Sequence, residues 1–209
     1  MALTRLYVDH KLRSGGGLEL DTEQAHYLGR VLRLREGDSL TVFNVDDVEF
    51  AASVTSISKQ SATILVEAYI ETATESPLKV HLVQGISRGE RMDYVVQKAT
   101  ELGVKRISPV FAEHGVVRLD SKRAAKRHAH WRRVAESACE QSGRIRPPLI
   151  DEPMPLNDWF GARTSDADID LILLPRAATA LTSIPAPASW PMAVAFGGVP
   201  NGVPMPPVL

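Results

Sequence analysis

The chain has 209 residues, of which 44% are hydrophobic and 23% charged, so it is long enough for one large domain or two modest ones, each with a core of its own. Its single cysteine, Cys139, excludes an internal disulfide and a cysteine-rich zinc site. No apolar run approaches the roughly 20 residues of a membrane-spanning helix, and the N-terminus lacks a signal-peptide core. These features predict a cytoplasmic protein without a membrane segment.

The first 70 or so residues read as short strands separated by turns. Alternating or β-branched runs are interrupted by Gly, Asp and Asn, and they comprise LYVDH, LEL, SLTVFNV, EFAASVTSIS and SATILVEAYI. One helical segment, DTEQAHYLGRVLRL, opens with Asp21 as its N-cap. The pattern predicts a small, mostly antiparallel barrel with one inserted helix, followed by a linker near Pro77.

From Lys79 the pattern changes to alternating strands and helices. A strand, KVHLVQGIS, precedes an apolar stripe of helical spacing formed by Met92, Val95, Val96, Ala99 and Leu102. Gly103 ends that helix, and a second strand, VKRISPV, follows it. A strand, a helix and another strand in this order predict a parallel sheet.

A second helix begins at Asp120 or Ser121 and ends at Gly143. Its predicted core stripe comprises Trp131, Val134, Ala135, Ala138 and Cys139, and its basic face comprises Lys122, Arg123, Lys126, Arg127, Arg132 and Arg133. Two later strands, DIDLILLP and MAVAFGG, complete the predicted α/β region.

Charge is distributed unevenly along the chain, although the formal net charge is only −1. The net charge is −5 over residues 1–78, +8 over residues 79–146 and −4 over residues 147–209. A basic middle flanked by acidic ends suggests contact with a polyanion such as an RNA backbone. A solvated helix face would give the same charge pattern, so both interpretations stay open.

Hydrolase and metal signatures are absent from the sequence. His128 and His130 are two residues apart on a helix and point in different directions, so they do not form a chelating pair, and no metal site is expected. Cys139 lies on the apolar stripe, which favours a buried structural thiol over a nucleophile.

Three longer stretches carry a resemblance to a known family. They are HYLGRVLRLREGD, MDYVVQKATELGVKRISPV and HWRRVAESACEQSGRIRPP, joined by PLNDW near Trp159 and LILLPRA at Leu171 to Ala177. From about residue 4 to about residue 196, the order and spacing of these blocks resemble the bacterial 16S ribosomal RNA uracil-N3-methyltransferase family, within the SPOUT superfamily.

The resemblance implies an architecture, a reaction and partners. Residues 1–73 would form a PUA-like β-barrel that binds RNA, and residues 74–209 an α/β domain, a SPOUT-type knotted parallel sheet. The family methylates N3 of uridine 1498 in 16S rRNA with S-adenosylmethionine, and it acts as a homodimer that needs no metal.

Carried over by position, two sets of residues are implied for the site. The RNA-binding set comprises Arg5, Arg30, Arg33, Arg88, Arg91, Arg118, Lys122 and Arg123, and the cofactor-binding set comprises Leu174, Pro175, Gly197 and Gly198. Gln97, Glu101, Glu140, Gln141 and Arg144 match characteristic family positions, which helix packing or dimer contacts would also explain. The resemblance assigns no catalytic residue for the removal of the N3 proton.

The tail departs from the family pattern. The resemblance implies a GPE-x-G loop and a final knotted helix after the last strand, whereas Pro200, Asn201 and Gly202 stand at the loop position. Because this loop and helix are missing, the sequence predicts an incomplete knot after about residue 196, with weakened cofactor binding and dimerisation. A shifted reading frame would produce such a tail. A non-catalytic RNA-binding remnant and a chain without stable function are the alternatives.

Overall fold

The predicted elements follow one another in the predicted order, but residues 149–162 add two short strands and a short helix that the sequence did not predict. The elements divide between two units. The computed structural model describes residues 4–44, 46, 48–71, 75–111, 120–162, 169–173, 183 and 192–196. One unit contains Met1–Glu75 together with Cys139–Arg146, and the other contains Ser76–Ala138 together with Pro147–Leu209. Cys139–Arg146 therefore group with residues that are far from them in the chain.

The first unit is built on a five-stranded sheet in the order β1-β3-β4-β5-β2. Its strands are β1 (Arg5–Tyr7), β2 (Gly17–Leu20), β3 (Ser39–Phe43), β4 (Glu49–Ile57) and β5 (Ala62–Ile70). Only the β1–β3 pair is parallel, so the predicted strand content and mostly antiparallel pairing are confirmed. Alternating side chains of β4 and β5 bury Val54, Ile64 and Val66 in the core of this unit.

The inserted helix α1 (Thr22–His26) begins where the sequence predicts. The Asp21 side chain accepts a hydrogen bond from the Gln24 backbone N–H, and the Gln24 side-chain oxygen accepts one from the Asp21 backbone N–H. The two bonds form a capping box. The chain then continues as a π-helical segment, Tyr27–Val31, in which Leu28 is buried in the core. Beyond it, Arg33 adopts a φ of 57°, and among described residues no other non-glycine residue has a positive φ.

The second unit contains a parallel sheet in the order β10-β11-β6-β7-β8, with β9 paired to β7. Its strands are β6 (Val80–Gly85), β7 (Arg106–Phe111), β8 (Leu149–Ile150), β9 (Met154–Pro155), β10 (Ile169–Leu173) and β11 (Met192–Phe196). Each of these strand pairs is parallel, which confirms the predicted α/β architecture. The predicted incompleteness of the knot after about residue 196 concerns residues outside those that the structure describes, so it stays a prediction.

Helix α2 (Arg91–Glu101) packs its apolar stripe on the sheet of the second unit. Met92, Val96 and Ala99 are buried, and Gly103 follows the helix with a φ of 91°. The prediction is wrong for Leu102, which is 81% exposed. Leu102 is the C-cap residue, so it lies beyond the last turn whose side chains face the sheet.

Helix α3 (Ser121–Ser142) has the predicted bounds and the predicted core stripe. Asp120 accepts a hydrogen bond from the Arg123 backbone N–H at 2.8 Å, so it caps the helix. Trp131 and Ala135 are buried in the core of the second unit, whereas the six basic side chains are exposed. A shorter helix, α4 (Leu156–Ala162), buries Leu156 and Trp159.

Gly143 and Gly161 form a matched pair for testing how α3 ends. Gly143 has a φ of 79°, and no atom lies within 4 Å of the place that a Cβ would occupy. Gly143→Ala is therefore expected to introduce backbone strain without a steric clash and to lower the free energy of unfolding by about 1 to 2 kcal/mol. Gly161 lies in α4 without a positive φ and with equally open surroundings, so Gly161→Ala is expected to stabilise by about 0.5 to 1 kcal/mol. Urea denaturation of both variants checks the two opposite signs, and destabilisation of both by the same amount would contradict the assignment.

The segment Cys139–Arg146 packs within the first unit. Cys139 and Ile145 form a buried cluster with Tyr7 and Phe43. Arg144 is also buried, and its guanidinium lies 2.5 Å from the Glu75 carboxylate. The last turn of α3 is therefore part of the core of the first unit.

Candidate functional site

The carboxyl edge of the parallel sheet is the first candidate site. Leu173, the last residue of β10, pairs with Phe196, the last residue of β11, and Phe196 also pairs with Gln84 on β6. The strand order reverses between β11 and β6, because the chain adds β7 and β8 on one side of β6 and the later strands on the other. Ligands of open parallel sheets bind at the carboxyl edge at such a switch point.

The predicted cofactor residues follow directly after these strand ends in the sequence. Leu174 and Pro175 come after β10, and Gly197 and Gly198 come after β11, although all four lie outside the described residues. Their preceding residues, Leu173 and Phe196, are paired neighbours. The register describes only the ends of the two strands, so the assignment of the residues that follow them to S-adenosylmethionine stays a prediction.

Two of the predicted RNA-binding arginines lie after β6, at the same carboxyl edge. Arg88 lies in the connection to α2, Arg91 begins α2, and both are exposed. Gly89, between them, has a φ of 62°, a conformation that glycine adopts without strain. The backbone N–H of Ile86 donates to the Val110 carbonyl at 2.9 Å, which ties the start of this connection to β7.

The first turn of α3 carries two more predicted residues, Lys122 and Arg123, and both are exposed. Because α3 connects the parallel strands β7 and β8, it must begin on the carboxyl side of β7, the side where Arg88 and Arg91 lie. Arg123 is 3.4 Å from the Asp120 carboxylate in an exposed ion pair of small energetic value. Arg118 lies outside the described residues.

Arg5 differs from the other predicted RNA-binding residues because its guanidinium is engaged within the first unit. It lies 2.5 Å from the Glu49 carboxylate, donates to the Arg144 carbonyl at 3.0 Å and stacks over Phe43 at 4.8 Å. The side chain is only 16% exposed. These contacts favour a structural role, so RNA contact by Arg5 stays a prediction without geometric support.

Arg30 lies in the π-helical segment of the first unit, Arg33 follows two residues after the end of that segment, and both are exposed. The Leu32 N–H donates to the Tyr27 carbonyl at 3.0 Å, and the Leu34 N–H donates to the Leu28 carbonyl at 2.9 Å. These bonds close the turn around Arg33. Two cations on one exposed turn suit the phosphates of a nucleic acid backbone.

A polar cluster at the amino edge of the parallel sheet superficially resembles a hydrolytic triad. The Ser108 hydroxyl donates to the Asp151 carboxylate and lies 2.7 Å from His81 Nε2, while Arg106 Nε donates to Asp151 at 2.8 Å. In a triad the histidine lies between the serine and the acid, whereas here the serine lies between the other two. Ser108 is also buried, so this cluster ties neighbouring strands together.

The two histidines of α3 serve different structural contacts. His128 Nε2 lies 2.7 Å from the Ile150 carbonyl, and His130 Nε2 lies 2.8 Å from the Asp93 carboxylate, which also accepts from Trp131 Nε1 at 3.1 Å. Within the described part of the chain, no three His, Cys, Asp or Glu side chains are placed to hold a metal ion.

Cys139 is fully buried, as predicted for a structural thiol. Burial raises its pKa to about 12 from an ordinary value of 9.0, so at pH 8 its thiolate fraction is about a thousandfold lower than in the unfolded chain. We expect the native protein to resist Ellman's reagent and to react once urea unfolds it. Because the folded-state pKa is raised, this contribution to stability is complete below pH 9 and is lost as the pH rises toward 12.

Cys139→Ser is the control for this experiment, because it removes the only thiol of the chain. No colour should develop with this variant even in urea. Rapid labelling of the native wild-type protein at pH 8 would contradict the burial of Cys139.

The structure supplies packing contacts for several characteristic family positions. Glu101 pairs with Lys98 at 2.7 Å on α2, Arg144 pairs with Glu75, and Glu140 accepts from the Tyr7 backbone N–H at 3.0 Å. Gln97 and Gln141 are exposed. Sequence reasoning gave no role to Tyr27, which lies beside Glu140, because nothing local to either residue signals the pair.

Two domain families match the chain. The family described as RNA methyltransferase domain matches residues 74–198, and the family described as RNA methyltransferase PUA domain matches residues 20–67. Among curated proteins, the ribosomal RNA small subunit methyltransferase E of Buchnera aphidicola (strain APS) is 31% identical over 188 residues, which are 90% of this chain and 74% of that protein. The protein of the same name from Bacillus subtilis is 34% identical over 128 residues, 61% of this chain and 50% of that protein.

The chain is also similar to solved structures of methyltransferases. A ribosomal RNA small subunit methyltransferase E from Neisseria gonorrhoeae, bound to S-adenosylmethionine, has a TM-score of 0.85 and 34% identity, covering 93% of this chain and 79% of that one. A putative methyltransferase from Legionella pneumophila, also bound to S-adenosylmethionine, has a TM-score of 0.87 and 35% identity, covering 97% and 81%. Each helix among the described residues is too short or too polar to span a bilayer. With both of its domains matched in order, the chain belongs to the ribosomal RNA small subunit methyltransferase E family of RNA methyltransferases.

Proposed function

We propose that this chain methylates N3 of uridine 1498 in the 16S rRNA of the small ribosomal subunit, with S-adenosylmethionine as methyl donor. The observation that carries the proposal is the carboxyl edge at the switch point of the parallel sheet, where β10 and β11 end in register beside the connection that bears Arg88 and Arg91. Relatives that share this fold at 34% and 35% identity were solved with S-adenosylmethionine.

The chemistry asks for two contributions from the chain. When bound, S-adenosylmethionine supplies an electrophilic methyl group, for which we propose the loops after β10 and β11, at Leu174, Pro175, Gly197 and Gly198, as the binding residues. Uracil N3 is a weakly acidic imide nitrogen, so its proton must leave as the new bond forms. We propose that Arg88 and Arg91 lower the energy of the developing imide anion, because fixed positive charges stabilise charge that builds up in the transition state.

The basic side chains bind the rRNA around the target base. Arg30 and Arg33 in the first unit and Lys122 and Arg123 in the second are exposed, so each can reach a phosphate. Arg118 remains part of this proposed set on sequence grounds alone. We retain residues 1–73 as the RNA-binding domain and residues 74–209 as the catalytic domain.

A homodimer and a cytoplasmic location complete the proposal. Membership of the family supports the homodimer, and a ribosomal RNA substrate supports the cytoplasmic location. Light scattering coupled to size exclusion tests the dimer. A dimeric mass at micromolar concentration supports the homodimer of the family, whereas a monomeric mass contradicts it and supports the weakened dimerisation expected from an incomplete knot.

The reaction is tested with small subunits from a strain that lacks methylation at this site. The chain is incubated with S-adenosylmethionine bearing a labelled methyl group, and the rRNA is digested to nucleosides for mass spectrometry. Labelled N3-methyluridine at the target position supports the proposal, whereas label on another base contradicts it. Salt-dependent RNA binding without methyl transfer would instead support a non-catalytic RNA-binding protein.

A further inference from the structure

The basic side chains of the first unit are few and unevenly placed. Because residues 1–78 carry a net charge of −5, this part of the chain needs a local cluster of cations to hold RNA phosphates. The range contains seven basic residues, namely Arg5, Lys11, Arg13, Arg30, Arg33, Arg35 and Lys59. The guanidinium of Arg5 is engaged by Glu49, whereas the last four of the seven are exposed and belong to segments that meet at the end of β4.

Lys59 lies at the tip of the turn that joins β4 to β5. The Ser58 backbone N–H donates to the Ser61 carbonyl at 2.8 Å. The Ser58 hydroxyl oxygen accepts from the N–H groups of Gln60 at 3.2 Å and Ser61 at 3.0 Å. Such local bonds from a serine side chain fix the backbone of a turn, so the exposed Lys59 side chain starts from a defined position.

The tip of this turn is tied to helix α1. Thr22 Oγ1, in the first turn of the helix, donates to the Gln60 carbonyl at 2.8 Å. The helix then continues without a break into the π-helical segment that carries Arg30. A hydrogen bond therefore connects the backbone next to Lys59 with the element that bears Arg30.

A second contact joins the π-helical segment directly to the end of β4. A Cβ placed on Gly29 would lie 3.2 Å from Ile57 Cδ1, so the backbone beside Arg30 packs closely on the last residue of the strand. Ile57 is two residues before Lys59, which is about 7 Å of extended chain. Arg30 and Lys59 therefore lie at the same end of the first unit.

The segment after the π-helix returns to the same strand. Arg33 has a φ of 57°, a strained conformation for a residue with a Cβ, and such strain is concentrated at binding and catalytic sites. Further along, the Gly37 N–H donates to the Val54 carbonyl at 2.8 Å, which holds the loop bearing Arg35 against β4. The strained turn and the hairpin thus flank the end of one strand.

The acidic residues of these segments leave the cations available. They are Asp21, Glu23, Glu36 and Asp38. The Asp21 carboxylate accepts from the Gln24 N–H at 2.8 Å, and the Asp38 carboxylate accepts from the Arg35 N–H at 2.7 Å. None of the ion pairs between described residues includes Arg30, Arg33 or Lys59.

We propose that Lys59 is a further RNA-binding residue, and that it completes with Arg30 and Arg33 a single surface of the first unit for the phosphates of rRNA. This role rests on the proposed rRNA-binding function, and it specifies the end of the first unit that meets the RNA. A lysine ammonium suits the task because it binds a phosphate as a point charge and does not need the fixed orientation of a bidentate contact.

The salt dependence of binding tests this contact. We expect Lys59→Gln to weaken binding of a fluorescein-labelled small-subunit rRNA fragment about three- to tenfold near physiological salt. Because one phosphate is no longer neutralised, the slope of log K against log salt concentration should become shallower by about 0.7 to 0.9. Fluorescence anisotropy of the full chain over a salt series measures both quantities, and the thermal melting curve should stay that of wild type because Lys59 is exposed.

Two further variants make the experiment specific. Lys11→Gln is the matched control, because it removes the same charge from another exposed lysine of the first unit. Asn44 Nδ2 donates to the carbonyl of His10, the residue before Lys11, at 2.9 Å, which places Lys11 by the connection between β3 and β4. That connection is separated from the hairpin turn by the length of β4, about 25 Å, so affinity and slope should equal those of wild type. Lys59→Arg keeps the charge and should also bind as wild type does.

The outcomes separate this contact from the proposed function. A loss of affinity and slope in Lys59→Gln that is restored in Lys59→Arg and absent from Lys11→Gln supports the contact. Equal losses in Lys11→Gln and Lys59→Gln would reflect the overall charge and overturn it, as would a loss that Lys59→Arg does not restore. A wild-type affinity and slope for Lys59→Gln would refute the contact alone, whereas a wild-type protein without salt-dependent binding would refute the proposed function as well.

Discussion

Trp131→Ala is expected to lower the free energy of unfolding by about 3 to 5 kcal/mol, the largest effect of any substitution proposed for this chain. Trp131 is 1% exposed, lies in the core between α2, α3 and the parallel sheet, and donates from Nε1 to Asp93 at 3.1 Å. Truncation leaves a large cavity and removes one of the hydrogen bonds of Asp93. Urea denaturation followed by circular dichroism measures the change in unfolding free energy.

Lys126→Ala is the matched control for Trp131→Ala, because Lys126 is exposed on the same helix. Its effect should stay within about 0.5 kcal/mol. A Trp131→Ala protein that unfolds at the wild-type urea concentration would show that α3 does not pack on α2 as described.

Arg144→Met is expected to destabilise the first unit by about 3 kcal/mol. The methionine fills much of the same volume, but it leaves the Glu75 carboxylate, which is 20% exposed, without the guanidinium 2.5 Å away. Removing one member of a mostly buried ion pair costs more than the pair contributes, since the remaining charge stays desolvated. Thermal and urea unfolding measure the change.

The double variant Arg144→Met/Glu75→Gln tests that explanation. Glutamine is neutral and keeps an acceptor for the Ile145 N–H, which lies 3.4 Å from the Glu75 carboxylate, so at least half of the stability removed by Arg144→Met should return. Arg13→Met, at an exposed arginine of the same unit, should change stability little. A double variant no more stable than Arg144→Met would contradict the charge argument.

The proposed site could be read from the sequence only in part. The family resemblance placed Arg88 and Arg91, and the structure puts both at the carboxyl edge of the sheet. The same resemblance offered Arg5, but its guanidinium is engaged by Glu49, a residue whose proximity no local pattern reveals. The predicted cofactor residues stay predictions, supported by the register of Leu173 and Phe196.

The sequence by itself determined most of the helices and strands and several of their ends, although it did not predict the short elements between residues 149 and 162 or the π-helical segment after His26. Asp21, Asp120, Gly103 and Gly143 act on backbone groups within a few residues of themselves, so their effects can be read locally. The stripe from Trp131 to Cys139 was equally readable, because helical periodicity alone decides which side chains share a face.

Only the tertiary structure decided which distant segments meet. It placed Cys139–Arg146 in the core of the first unit, brought Glu140 to Tyr27 and left Leu102 exposed. Each outcome depends on where the chain returns after many intervening residues, and the hydrophobic effect that drives the return is non-directional. A periodic pattern therefore indicates that one face of a helix is buried, while the packing of the whole fold determines which residues that face contacts.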